Sequence, residues 1–131
     1  AIGIEALSRG AALAVFVEKN PKACVCIRDN LSFTKLEEDG KLLNMDVLQG
    51  LRPLEGEPAF DCIFMDPPYG QGLEKAALEY LAFSSLADEN TTIVIEADLH
   101  TDFSYAEDLG YRLERSKEYK TNKHVFLRKR R

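Results

Sequence analysis

The 131-residue sequence has no long apolar run and no signal-like start. No stretch approaches the roughly 18 apolar residues that a membrane-spanning helix needs. The first ten residues contain Glu5 and Arg9, where a secretory signal would have its apolar core. We therefore expect a cytoplasmic protein with no membrane contact.

Cysteine and histidine are also scarce. The three cysteines, Cys24, Cys26 and Cys62, are odd in number and irregularly spaced, which argues against a secreted disulfide scaffold. The only imidazoles are His100 and His124, and the five side chains together show no four-ligand zinc spacing. We expect three free thiols, buried or half-buried, in a reducing compartment, and no metal.

The charge is unevenly distributed along the chain. The formal net charge is −5, although residues 112–131 contain nine Lys or Arg and only two Glu. A basic end on an acidic body can contact phosphate groups. It can equally be a solvated strand with a basic tail, and at this stage both interpretations are open.

Apolar runs and helical stripes alternate along the chain, without internal repeats or low-complexity linkers. This order predicts a single α/β domain with a doubly wound, mostly parallel sheet that ends in an antiparallel hairpin. The run Phe60 to Met65 is typical of a central parallel strand covered on both faces. The other predicted strands are Leu13 to Val17, Lys41 to Asn44, Thr91 to Ile95, and the hairpin pair Tyr111 to Tyr119 and His124 to Arg130. The predicted helical segments are Ile2 to Ser8, a helix beginning at Pro21, Val47 to Leu51, Leu73 to Phe83 and Tyr105 to Leu109.

Acidic residues follow two of the predicted strands. In such sheets, ligands bind beyond the carboxyl ends of the strands. From this position Glu18 can accept hydrogen bonds from ribose hydroxyls. Asp46 can accept a hydrogen bond from the amine of an adenine, and the next backbone N–H can reach a ring nitrogen. Taken alone, Glu18 fits an ordinary surface glutamate and Asp46 an ordinary helix N-cap.

The most informative segment is Asp66-Pro67-Pro68-Tyr69-Gly70, directly after the run FDCIFM. Two consecutive prolines end the strand and restrict the backbone. A rigid loop of this kind presents a carboxylate, proline carbonyls and an aromatic ring. An amino group on a planar base can donate to Asp66 and the Pro67 carbonyl while Tyr69 stacks on the ring. A tight structural turn capped by Asp66 is the alternative.

At this point the sequence resembles a known family. DPPYG after FDCIFM is similar to motif IV of class I S-adenosylmethionine-dependent amino-methyltransferases. The opening GIEALSRGAALAVFVEKN and the closing YKTNKHVFLRKR resemble the RsmD type, which methylates N2 of a guanine in small-subunit (16S) ribosomal RNA. The resemblance implies S-adenosylmethionine as cofactor and ribosomal RNA, or the small-subunit particle, as partner. It also implies two sets of site residues. The implied cofactor-binding residues are Gly3, Glu18, Lys19, Asp46 and Val47, and the implied catalytic residues are Asp66, Pro67, Pro68 and Tyr69.

The chain departs from the family pattern at its start. The family's first strand, the earlier glycines of its cofactor loop and its basic N-terminal segment have no counterpart before Ala1. We therefore expect a methyltransferase domain truncated at its N-terminus. Two alternatives remain open: another amino-methyltransferase acting on adenine N6 in DNA or on a protein glutamine, and a non-catalytic RNA-binding factor on the same fold.

Overall fold

A computed structural model of the chain describes residues 14–17, 21–35, 40–43, 47–56, 58–66 and 72–130. By internal contacts the chain divides into two compact units, residues 1–53 and 54–131. The predicted helix Ile2 to Ser8 lies outside the described residues. The assignment of one methyltransferase domain stays a prediction. None of the helices within the described ranges combines the length and the apolar character needed to cross a membrane.

The first unit contains a pair of parallel strands with a helix between them. Strands β1 (Ala14–Val17) and β2 (Gly40–Leu43) pair in register, and α1 (Pro21–Thr34) connects them. Proline suits the first turn of a helix, because its missing N–H would have no partner there. A short helix, α2 (Val47–Leu51), follows β2. The predicted β–α–β order of this segment is confirmed.

The second unit is built on a four-stranded mixed sheet. Its strands are β3 (Cys62–Met65), β4 (Thr92–Asp98), β5 (Tyr111–Glu118) and β6 (Asn122–Lys129), in the order β3-β4-β6-β5. β3 and β4 are parallel, whereas β6 is antiparallel to both β4 and β5. The predicted C-terminal hairpin therefore ends the sheet as expected. Its helices are α3 (Leu73–Ala82) and α4 (Tyr105–Asp108), and a 3-10 turn (Arg52–Leu54) spans the boundary between the units.

The core of the second unit lies on one face of this sheet. Ile93 and Ile95 of β4 and Leu127 of β6 are completely buried, as is Leu78 of α3. Tyr111 at the start of β5 is also buried, and its hydroxyl donates to the Leu78 carbonyl at 2.6 Å. Because side chains alternate along a strand, the neighbours of these residues face the opposite side. That side is half-exposed along β4, and it carries the site described below.

β3 was predicted to be covered on both faces, and this prediction is wrong. Its residues 63–65 are half-buried and Cys62 is exposed, whereas the fully buried positions lie on β4. Within the described part of the second unit, β3 pairs with a strand on one side only, which leaves more of it accessible. The thiol prediction needs the same correction, since Cys24 is buried but Cys26 and Cys62 are exposed. All three are free thiols, as predicted.

Two hydrogen bonds hold the start of β3 against β4. The Thr91 hydroxyl donates to the Phe60 carbonyl at 2.6 Å, and the Thr92 N–H donates to the Asp61 carbonyl at 2.9 Å. Thr91 is almost completely buried, so its hydroxyl needs this partner. These bonds set the register that pairs Met65 with Ile95. The residues that follow, Asp66 and Glu96, are thereby brought side by side.

Candidate functional site

Only part of the predicted site lies within the described residues. Asp66 directly follows β3 and is exposed. Val47 is the first residue of α2. The other predicted site residues lie outside the described residues, namely Gly3, Glu18, Lys19, Asp46, Pro67, Pro68 and Tyr69.

In the second unit, four polar side chains form a row across the sheet. Asp66 follows the Met65–Ile95 pair, which places it beside Glu96. Glu96 pairs with His124 on β6, and His124 pairs with Lys117 on β5. Paired residues of neighbouring strands project from the same face of a sheet. The row Asp66, Glu96, His124 and Lys117 therefore occupies the half-exposed face, at the carboxyl ends of β3 and β4.

Glu96 is the centre of this row. Its side chain is hydrogen-bonded to that of Asp66, and its Oε1 lies 3.3 Å from Nε2 of His124. The hydrogen bond with Asp66 first, and then that with His124, lowers the pKa of Glu96 below its ordinary value. Both hydrogen bonds favour the ionised form of Glu96. Since Glu96 and His124 are about one quarter exposed, at 26% and 24%, solvent also reaches the pair.

Aromatic rings hold His124 from two sides. Its imidazole packs edge to face with Phe64, with the ring centroids 6.1 Å apart, and with Tyr119 at 4.9 Å. The ammonium of Lys117 lies over the Tyr119 ring, 5.4 Å from its centroid. The imidazole is therefore restrained by packing as well as by its hydrogen bond to Glu96.

Glu96 and His124 are absent from the predicted site. The signal for Glu96 was present, because it comes directly after the predicted strand Thr91 to Ile95, in the position that drew attention to Glu18, Asp46 and Asp66. His124 was considered only as a metal ligand. Across the described ranges, no group of three or more His, Cys, Asp or Glu side chains has an arrangement that could hold a metal ion.

Two groups of basic residues in the hairpin differ in their contacts. Arg128 and Lys129, near the end of β6, are engaged within the protein. Arg128 pairs with Glu114 at 2.9 Å, and Lys129 Nζ donates to the carbonyls of Ser84 and Ala87 at 2.9 and 2.6 Å. Burial lowers the pKa of Lys129. Lys129 is thus a structural lysine and not part of a frayed tail.

The second group lies on β5 and at its end. Arg115, Lys117 and Lys120 are exposed. The Arg115 guanidinium lies 5.8 Å from the centroid of the Phe126 ring, much as Lys117 lies over Tyr119. Cations next to aromatic rings on an exposed sheet face are suited to contact both the phosphates and the bases of a single-stranded nucleic acid.

The chain is similar to known proteins along most of its length. The family model described as "Conserved hypothetical protein 95" matches residues 1–128. The "Ribosomal RNA small subunit methyltransferase D" of Haemophilus influenzae is 30% identical over 98 residues, which are 74% of this chain and 51% of that protein. The chain spans about half the length of the curated relatives it matches.

Two solved structures are similar in fold to this chain. A conserved hypothetical protein of Streptococcus pyogenes has a TM-score of 0.85 and 34% identity, over 97% of this chain and 78% of that one. A ribosomal protein L11 methylase of Lactobacillus delbrueckii subsp. bulgaricus has a TM-score of 0.76 at 13% identity, over 99% of this chain and 64% of that one. The predicted α/β, Rossmann-like fold of class I methyltransferases is confirmed.

Proposed function

The chain belongs to the RsmD-type family, described as conserved hypothetical protein 95, and from this premise we propose that it methylates N2 of a guanine in small-subunit ribosomal RNA with S-adenosylmethionine as donor. The observation that carries the proposal is Asp66, an exposed carboxyl side chain at the carboxyl end of β3 and the first residue of the DPPY loop. Ligands of doubly wound sheets bind at this edge. The Haemophilus relative, whose name describes a ribosomal RNA methyltransferase, supports the choice of RNA as substrate.

In the proposed reaction the protein mainly positions an amine that is a weak nucleophile. The lone pair of guanine N2 is delocalised into the ring. Hydrogen bonds from its two hydrogens to Asp66 and to the Pro67 carbonyl would favour the pyramidal form and direct the lone pair, while Tyr69 stacks on the base. When bound, S-adenosylmethionine supplies an electrophilic methyl group on a sulfonium. Glu18 and Asp46 would hold its ribose and adenine, and a guanine within a helix would have to flip out.

The direct test is methyl transfer from labelled S-adenosylmethionine by the full-length protein. Naked small-subunit RNA, the protein-bound small-subunit particle and DNA are compared as substrates. Label on a guanine of either RNA substrate is the expected result. Label on DNA adenine would identify the alternative amino-methyltransferase. Cofactor binding without transfer to any substrate, or no cofactor binding at all, would favour a non-catalytic RNA-binding factor.

Glu18→Ala should weaken the binding of S-adenosylmethionine by roughly 1–3 kcal/mol, because hydrogen bonds to a charged group are removed. Isothermal titration calorimetry of the full-length protein measures this. Glu89→Ala is the control, since Glu89 is an exposed glutamate at a turn of the second unit. Equal affinity of the Glu18→Ala and Glu89→Ala proteins would remove Glu18 from the cofactor site.

Replacing Arg115, Lys117 and Lys120 by Gln should reduce RNA affinity and flatten its salt dependence. For single-stranded RNA the slope of log K against log salt should fall by about 0.7 for each phosphate group that is no longer neutralised. Lys129→Met is the contrasting variant. It removes the two hydrogen bonds to carbonyls and should lower the melting temperature while leaving the salt slope close to that of the wild type. An unchanged slope in the triple variant would mean that these charges are only solvated.

A further inference from the structure

The row Asp66, Glu96, His124 and Lys117 includes residues outside the predicted DPPY loop. We propose that Glu96 is a positioning residue for Asp66, and that Glu96 and His124 together take up the proton that would otherwise prevent Asp66 from accepting hydrogen bonds from the substrate amine. This inference rests on the proposed function, because it concerns how Asp66 acts in that reaction. Neither Glu96 nor His124 belongs to the DPPY loop.

Glu96 can orient the side chain of Asp66. Asp66 lies beyond the last strand pair of β3 and is exposed, so the β-ladder alone does not restrain its side chain. Its hydrogen bond to Glu96 does, because Glu96 lies within β4, between two completely or nearly completely buried neighbours, Ile95 and Ala97. A side chain on a regular strand is a firmer support than one on a loop. Glu96 therefore holds Asp66 in one direction.

The same contact affects the protonation of the two carboxyl groups. An ionised carboxylate only accepts hydrogen bonds, so a direct hydrogen bond between two carboxyl groups needs one proton between them. Two carboxyls in such contact resist losing that last proton, because the resulting charges repel. A protonated Asp66 can accept less from a substrate amine. The contact that orients Asp66 thus also tends to keep a proton on the pair.

His124 can take up the proton that the two carboxyl groups share. Its Nε2 lies 3.3 Å from Glu96 Oε1, and an imidazole is the side chain best suited to gain or lose a proton near neutral pH. With the proton on His124, both carboxyls can be ionised while the three groups keep the same net charge. The imidazole is restrained for this exchange by Phe64 and Tyr119.

The other charged groups near His124 do not replace it in this role. Lys117, which faces His124 from β5, has its ammonium over the Tyr119 ring. Lys123, the preceding residue on β6, donates to the Thr101 carbonyl at 2.7 Å, and Asp98 of β4 accepts the His100 N–H. Glu118, at the end of β5, pairs with Lys123 in the strand register. Among the described residues, Glu96 is the carboxyl group that contacts the imidazole.

Protons balance over one reaction cycle. Before the amine binds, one proton lies between Asp66 and Glu96. It passes through Glu96 to His124, which leaves Asp66 ionised to accept the two-hydrogen amine. The methyl group then moves to nitrogen, the carbon–sulfur bond breaks with its electron pair on sulfur, and the amine loses one proton to Asp66. Solvent, which reaches both Asp66 and His124, takes up the surplus proton.

Single-turnover methyl transfer by the full-length protein, measured as a function of pH, tests the proposed roles of Glu96 and His124. Glu96→Ala should slow transfer at least about tenfold at neutral pH with unchanged cofactor affinity, because Asp66 loses its hydrogen bond to Glu96 and is positioned less well. Glu96→Gln should restore most of the rate, since an amide can donate to an ionised Asp66, and it should move the acidic limb of the profile to lower pH. His124→Gln should move that limb to higher pH. Glu89→Gln and His100→Gln, both at exposed positions, are the matched controls.

A second measurement does not depend on catalysis. In a carbon-13 titration followed by NMR, the pKa of Glu96 should be lower than that of an ordinary glutamate, and it should rise in Asp66→Ala and in His124→Gln, because each variant removes a hydrogen bond to the ionised form. Melting temperatures of all variants are recorded in parallel.

The outcomes separate the two proposals. Equal rates in Glu96→Ala and Glu96→Gln that follow only the folded fraction, or a His124→Gln profile that coincides with the wild type, would overturn the inference. A Glu96 pKa that does not respond to either variant would overturn it as well. If the wild-type protein transfers methyl groups to no substrate while the Glu96 pKa responds as expected, the proposed function fails and the coupled row stands as a structural finding.

Discussion

Asp66→Ala is expected to lower single-turnover methyl transfer by at least about 100-fold, the lower range for loss of a positioned acid–base group. The fold should remain intact, because Asp66 is exposed and lies outside the β3 ladder. Cofactor affinity should fall only modestly, because Asp66 is proposed to act on the substrate base. Transfer rate, cofactor affinity and melting temperature are measured on the same preparations.

Asp61→Ala is the matched control for Asp66→Ala. Asp61 is an exposed aspartate at the other end of the same strand, and its contact with β4 uses the backbone carbonyl, which the substitution retains. Asp66→Asn adds a second comparison. If Asp66 were only a turn cap, Asn would cost little stability and the Ala variant would keep activity in proportion to its folded fraction. A stable, cofactor-binding Asp66→Ala protein with near-normal transfer would refute the catalytic assignment.

Leu127→Ala should destabilise the protein by roughly 2–5 kcal/mol, the range for a truncated buried leucine that leaves a cavity. Leu127 is completely buried on β6 and pairs with Ile93 on one side and Leu113 on the other. Its truncation would therefore loosen the sheet that aligns Glu96 with His124. Urea denaturation followed by circular dichroism measures the change.

Leu113→Ala is the control, with the same side-chain chemistry at a neighbouring position. Leu113 is 51% exposed, so its truncation should cost much less than that of Leu127. The comparison isolates burial, because the two leucines face each other in the β5–β6 register. Equal destabilisation by the two substitutions would show that the buried face does not carry the stability of this unit.

Much of the architecture could be predicted from local patterns. The run after Phe60 indicated a strand, and the alternation of residues 111–130 indicated a hairpin, because these features depend on period-two side-chain placement and on nearby turn residues. Pro21 predicted the start of α1 for a similarly local reason. The DPPY segment pointed to Asp66 because few structural needs explain that composition at a strand end.

Burial was less predictable than element type. β3 is the more continuously apolar segment, yet the completely buried residues are on β4. The difference arises because burial depends on which strands lie on either side, and strand order is a property of the assembled sheet. Lys129 shows the same limit. Its charge suggested either a phosphate contact or a solvated tail, but its ammonium reaches the carbonyls of Ser84 and Ala87, more than 40 residues away in sequence.

The sequence by itself determined the alternation of strands and helices, the hairpin and the family, because each depends on neighbours along the chain or on a short motif. The row Asp66, Glu96 and His124 was decided only by tertiary structure. Asp66 and Glu96 are 30 positions apart in the sequence, and Glu96 and His124 are 28 positions apart. They meet because a parallel pairing of β3 with β4 and an antiparallel pairing of β4 with β6 bring three distant positions to one face of one sheet.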